Sequence, residues 1–360
     1  MRLRLRNSSV ALIGASLLSV ALASCSGGSS SIPQTSQPQS NPSQPGNGGT
    51  TTSSLTIINI KNSDRSAVKS HGTIRAHVYG MQKPAKPGTT TQSSVVHVSN
   101  LQYFGGPLVA SAHVYNAFVD SSPSTFGDVS QFQNRFSRST MVHMLDEYVG
   151  ATASNRYPWG GDFGVNYPAV TTLGDNDLLL IIHAVAAGVA GGGLNHVYNI
   201  FLPPGLNYCS TGTILPVGAC NASPTSPNPA FCAFHGAVAF SDTGTTLFTV
   251  EPFSDTDFCG VDNFSQNPTA PTPNGLVKDS QYSALSHEQS ETFTDPIPGS
   301  GWVVPDPFFP SEIGDLCAYI DGPFNSSGFV SPQNTSLDGK AYRIQFEYSN
   351  KQVGCNNTTP

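Results

Sequence analysis

The residue types best suited to chemistry lie close together in "SALSHEQSETFTDPIPGSGW", Ser283 to Trp302. His287 and Glu291 are four positions apart, so on a helix they share one face about a turn apart. An imidazole and a carboxylate in that relation can hold one metal ion. Glu288 is offset, in the position from which the glutamate of a His-Glu-x-x-His zinc protease acts as general base. Here a carboxylate stands where that motif has its second histidine. The exchange keeps zinc available and brings manganese, iron or calcium into range, because oxygen donors suit harder ions. A third ligand has to come from elsewhere. Glu312 and Asp315, in "SEIGDLC", follow after a Pro/Gly-rich turn, a distance over which a chain can leave the helix and return beside it. Asp295 is nearer, and either joins them or caps the turn before Pro296. His235, in "CAFHGAVAF", is a further candidate ligand or proton shuttle; a histidine on a strand is as readily structural. A surface helix with two solvated glutamates fits the same letters and stays open as the alternative. Ser286 is no nucleophile candidate, since no G-x-S-x-G elbow exposes it.

The elements that must position these residues are a mixture. "GLVKDSQYSALSHEQSETF" reads as a helix. "DVSQFQNRFSRSTMVHMLDEYVG" repeats apolar residues at helical spacing and closes at Gly150. Another helix is expected from about Asp175 to Ala190, capped by Asp175 or Asn176. "HVYNAFV", "HVYNIFLPPG", "FCAFHGAVAF" and "TTLFTVEPF" read as strands, and "AYRIQFEYS" alternates as a late strand over 341–349. In 55–100, "LTIINI" and "TIRAHVYG" are weak strands in an irregular region with no evident chemistry. "NRYPWGGDFG" carries Tyr157, Trp159 and Phe163, a packed loop or a surface for stacking on sugars. Strands and helices interleave. The expected fold is α/β, with α+β as the alternative: a mixed sheet with two or three packed helices, loop-rich, disulfide-stabilised and compatible with a zincin-like arrangement.

The chain begins with a basic, then apolar stretch that reads as a signal peptide over 1–24. It ends in Leu22-Ala23-Ser24-Cys25, the form of a bacterial lipoprotein box, so Cys25 is expected to carry lipid. Residues 25–54 then form an uncharged Ser/Pro/Gln/Gly tether with too little apolar surface to fold. Residues 101–360 are expected to form the main globular domain. Only 11% of residues are charged, and the net charge is −7. That balance, with no basic patch, excludes a nucleic-acid partner. The expected partners are a membrane, through the lipid on Cys25, and a cell-wall polymer or peptide. The expected location is a bacterial cell envelope, at the outer membrane where there is one, or the extracellular space. Beyond Cys25, six cysteines remain: Cys209, Cys220, Cys232, Cys259, Cys317 and Cys355. An even set in an exported chain suggests three disulfides, with connectivity open.

From Leu101 to Cys355 the chain resembles the plant EXORDIUM, or phosphate-induced protein 1, family and its bacterial relatives. The segments occur in the family's order: "YFGGPLVASAHVYNAFVD", "HVYNIFLPPG" with Cys209, "FCAFHGAVAF", "ALSHEQSETFTDP" with Gly301-Trp302, "EIGDLC", and "GKAYRIQFEYSNKQVGC". Gln289-Ser290 departs from the family's apolar pair, and Cys220 lies in an insertion. The resemblance implies an extracellular, wall-associated protein. It also implies that His287, Glu291, Glu312 and Asp315 act as a set, and that Cys317 pairs with Cys355 and Cys209 with Cys232. Two functional expectations follow. One is a metal-dependent hydrolase of peptide or envelope polymer, with His287, Glu291 and Glu312 or Asp315 as ligands and Glu288 as base. The other is a non-catalytic wall- or polysaccharide-binding protein in which the acids are structural or hold calcium.

Overall fold

The computed structural model describes residues 55–61, 63–64, 71–80, 100–262, 270–305, 311–321 and 335–357. The expected signal peptide, Cys25 and the tether lie outside these residues. An eight-stranded mixed sheet organises the fold. Its strands are β1 (Thr56–Asn59), β2 (His71–Gly80), β3 (His113–Val119), β4 (Trp159–Asn166), β5 (His196–Leu202), β6 (Cys220–Asn221), β7 (Pro229–Phe240) and β8 (Gly244–Pro252). Their spatial order is β1-β4-β3-β5-β8-β7-β2, with β6 beside β7. Neighbours from β1 to β8 run parallel; β7 is antiparallel to β8 and to β2. Thus the weak strands of 55–100 are members of the main sheet, at its two ends.

Helices cover both faces, as near-continuous apolar strands such as "HVYNIFL" require. On one face lies α3 (Asp175–Val189), apolar all round and packed through Leu178, Ile182 and Val185 on Tyr198, Ile200 and Val250. On the other lie α1 (Val129–Arg138) and α4 (Leu276–Thr294), with Phe132, Tyr282, Leu285 and Phe293 in one core with Val114, Phe118, Val197 and Phe201. The helix expected to run through to Gly150 is broken. After α1, Ser139 donates to Phe136 O and accepts from Met141 N, which starts a 3-10 turn over Thr140–Leu145. The short α2 (Asp146–Val149) follows and ends at Gly150, whose φ of 68° suits glycine.

Two further expectations are corrected. The cap of α3 is Gly174, whose N–H donates to Asp177 Oδ2. Asp175 instead accepts from Tyr208, Ser210, Thr211, Thr213 and Ile214, fastening the loop that Cys209–Cys220 closes. The late strand does not form as one piece: only Lys340–Tyr342 and Glu347–Ser349 pair as strands. Between them the backbone hydrogen-bonds to α4 side chains, Arg343 N to Asp279 Oδ1 and Gln345 N to Ser283 Oγ. Both faces are buried, so its alternation marks two kinds of interior neighbour rather than core and solvent.

Three disulfides are present: Cys209–Cys220, Cys232–Cys259 and Cys317–Cys355. The implied Cys209–Cys232 pairing is therefore wrong. Cys209 lies opposite Cys220 in a local antiparallel bridge, with Cα atoms 4.1 Å apart, while Cys232 on β7 meets Cys259. The bonds place the folded chain in an oxidising compartment. Among the described residues, no helix is long and apolar enough to cross a membrane.

Candidate metal centre

Helix α4 carries few apolar residues beyond Tyr282, Ala284, Leu285 and Phe293, yet it is buried from Asp279 to Thr294. Its hydroxyls are satisfied by its own backbone: Ser280 donates to Leu276 O, Ser290 to Ser286 O, Thr292 to Glu288 O and Thr294 to Ser290 O. Small polar side chains that fold back in this way let the helix lie close against the sheet. His287 and Glu291, each 0% exposed, pair with one another at 3.0 Å, and both, like the equally buried Glu288, also face partners on other elements.

The sheet supplies those partners through register. Asp162, Asn116, Asn199, Thr249, His235 and His77 lie directly opposite one another across β4, β3, β5, β8, β7 and β2. They form one polar row under α1 and α4. Asn116 donates to Asp162 and Asn199 to Asn116, while Thr249 bonds both Asn199 and Glu251. The row ends in two histidines beneath α4. "SEIGDLC" closes the site from the side, held by Cys317–Cys355 and by Asp315 N donating to Glu291 Oε1 at 3.2 Å.

The distances describe a closed alternation of imidazoles and carboxylates. Glu291 Oε1 lies 3.0 Å from His287 Nε2, and Oε2 3.4 Å from His235 Nδ1. Glu312 Oε2 lies 3.6 Å from His235 Nε2, and Oε1 3.5 Å from His77 Nδ1. Asp315 Oδ2 lies 2.7 Å from His77 Nε2, and Oδ1 3.8 Å from His287 Nε2. Glu288 Oε2 is 3.2 Å from His235 Nδ1. Three sets of ligand atoms, each mutually within 4.8 Å, can hold an ion: His77/Glu291/Asp315, His235/Glu291/Glu312 and His287/Glu288/Glu291. Glu291 belongs to all three.

Electrostatics agree with a site built for cations. Burial opposes charge on His77, but Asp315, Glu291 and Asp295 outweigh it and raise the pKa to about 9. Burial likewise opposes charge on Glu291, yet His287, His235 and His77 hold it well below the usual range. Burial, then Glu291, Asp295, Asp315 and Glu288, push Glu312 far up. Burial also raises Glu347, with Glu291 and Asp315 adding to it. Gln345 Nε2 lies 2.8 Å from His287 Nδ1 and donates to Gly314 O, orienting the ring.

The structure thus gathers His287, Glu288, Glu291, Glu312, Asp315 and His235. Asp295 does not join: its carboxylate accepts from Gly299, Ser300 and Gly301 N–H and pins the turn, while its backbone O faces His235. Glu288, expected as the general base, lies against His235, with Oε2 3.2 Å from Nδ1. His77, Gln345 and Glu347 escaped the sequence reading. None sits in a motif, and His77 is found only through its register with His235. Arg343 contacts Asp321 and Ala270 O, and its backbone N donates to Asp279. Of the aromatic trio, Tyr157 is buried and stacked on Phe293, and only Trp159 is exposed.

Replacing Cys317 and Cys355 by serine opens a 38-residue loop. The expected cost is about 4 kcal/mol by loop-closure entropy, read as a shift in urea midpoint. The same variant should hold metal more weakly, because Glu312 and Asp315 immediately precede Cys317, the end that the bond anchors.

Comparison with family models, curated proteins and solved structures finds no match to the chain.

Proposed function

We propose that this chain is an exported cell-envelope protein whose buried three-histidine, four-carboxylate centre holds a divalent transition metal. The observation that carries the reading is Glu291, shared by three overlapping ligand sets. Three imidazoles favour zinc, manganese or iron over calcium, which takes oxygen donors. The resemblance to the EXORDIUM family and the disulfides support an extracellular setting. The lipid on Cys25 and the tether would hold the domain at a membrane.

Metal-dependent hydrolysis is the second reading, favoured by one observation. A cavity of about 150 Å³ is lined by Arg75, Ala237, Val238, Ala239, Thr245 and Ile297. The opposed pair Arg75 and Ala237 lies two residues along the same strands from His77 and His235. Pockets for whole small ligands run to about 300 Å³ and more. This one suits a single side chain of a peptide rather than a sugar unit. Substrate would approach past His77 and Asp315, which are 16% and 17% exposed. Glu288, 0% exposed, is less accessible, which ranks this reading second.

The test is metal content of the intact chain, without a histidine tag, by mass spectrometry. Wild type is expected to carry metal, and His287→Ala and Glu291→Ala to lose it. Wild type that stays empty after supply of zinc, manganese and calcium ends the reading. Glu288→Gln that retains metal but loses peptide cleavage seen in wild type would establish the second.

A further inference from the structure

The geometry points to a dinuclear centre in which Glu291 bridges two divalent ions. The inference rests on the metal-binding reading above and adds the number of ions and the bridge.

Glu291 presents its two oxygens to different histidines, Oε1 to His287 and Oε2 to His235. One ion placed at Oε1 has His287 and Glu288 as its other ligands. A second placed toward Oε2 draws on the His235/Glu291/Glu312 set, in which Glu291 Oε2 faces His235 Nδ1 and Glu312 Oε2 faces Nε2. His77 and Asp315 close the open side of the pair. Around the alternation, His287–Glu291 at 3.0 Å is of hydrogen-bond length, while the contacts of 3.4 to 3.8 Å are too long for good hydrogen bonds. The 3.0 and 3.4 Å separations at Glu291 match the ligand–ligand edges of about 3.0 to 3.4 Å that metal bonds of about 2.1 Å produce. His77–Asp315, at 2.7 Å, is instead an ordinary hydrogen-bonded pair of the kind that orients a metal-binding ring.

Ligand supply and charge support the same count. Seven side chains converge, more than one four-coordinate ion uses. Glu312 is 1% exposed, and among the described residues neither of its oxygens has a hydrogen-bond partner, although they face His77 and His235. The charged neighbours of Glu291, Glu312 and Asp315 are histidines and other carboxylates. With Glu288, four carboxylates converge, three of them 0 to 1% exposed and Asp315 17%. Two divalent ions would neutralise the four carboxylates with all three imidazoles neutral, the form in which histidine binds metal.

The test is a titration of the metal-free intact chain with Mn²⁺ alone, followed by electron paramagnetic resonance. The expected endpoint is two ions per chain, with the isolated-ion six-line signal replaced by an exchange-coupled pair. Glu312→Gln, checked for folding by circular dichroism, is expected to bind one ion and restore the uncoupled signal. A wild-type endpoint of one overturns the dinuclear inference and leaves the metal-binding reading intact. An endpoint of two without coupling overturns the bridge. No binding, with zinc and calcium also failing, overturns both readings.

Discussion

Stripping the metal from the loaded protein at pH 8 is expected to lower its melting temperature by about 15 °C, and at pH 5 by only a few degrees. An ion at a thousandfold excess over its Kd contributes about 4 kcal/mol. Two ions contribute about 8, and a domain of this size shifts by about 2 °C per kcal/mol. The pH sensitivity follows from what the ions replace. Metal binds deprotonated ligands, so its contribution grows as pH rises. The metal-free centre behaves in the opposite way. His77, raised from 6.5 to about 9, contributes stability that is present below 6.5 and lost as pH rises through 9. Glu312, raised well above 4.5, likewise contributes below 4.5 and loses that contribution on the way up. Glu291 is depressed below 4.5, so its contribution is present above 4.5 and nearly constant between pH 5 and 8. The two forms therefore diverge with rising pH. Calorimetry of loaded and stripped protein at both values checks this; a difference independent of pH would show that these groups do not hold the ions.

Most of this site was legible in the sequence. His287 and Glu291 stand out because helical periodicity fixes their mutual placement before any tertiary contact forms. Glu312 and Asp315 follow from a loop that must return to the same helix. His77 is set by strand register, which a sequence does not display: it is distant from His235 in the chain and meets it only because β2 pairs with β7. The α/β class was readable from the aromatic and β-branched strands around α3. Burial of α4 was not, since serine and threonine look solvent-facing until their hydroxyls are seen bonded to the helix backbone. Residues 341–349 show the converse, a regular alternation whose backbone partners turn out to be side chains of α4.

Glu251→Gln is expected to stabilise the protein at pH 8 by as much as about 5 kcal/mol and to change it little at pH 4. Glu251 is fully buried beside the polar row, two residues along β8 from Thr249, where Oε1 accepts from Thr249 and Oε2 has no hydrogen-bond partner among the described residues. Burial raises its pKa from 4.5 to about 8, offset only in part by the Thr249 hydrogen bond. A carboxyl raised in this way favours the folded state fully below 4.5 and loses that contribution as pH climbs to about 8. The gap of about 3.5 pH units corresponds to about 5 kcal/mol at 1.36 kcal/mol per unit. Glutamine keeps an acceptor for Thr249, adds a donor of similar size and never ionises, so the variant escapes the loss. Comparing both proteins with metal loaded equally removes the centre's own pH dependence from the difference. Urea midpoints that converge at pH 4 and separate at pH 8 would show that an acid is kept beside the row at a cost in stability. Equal midpoints at both values would show that Glu251 is ionised and compensated in the folded chain.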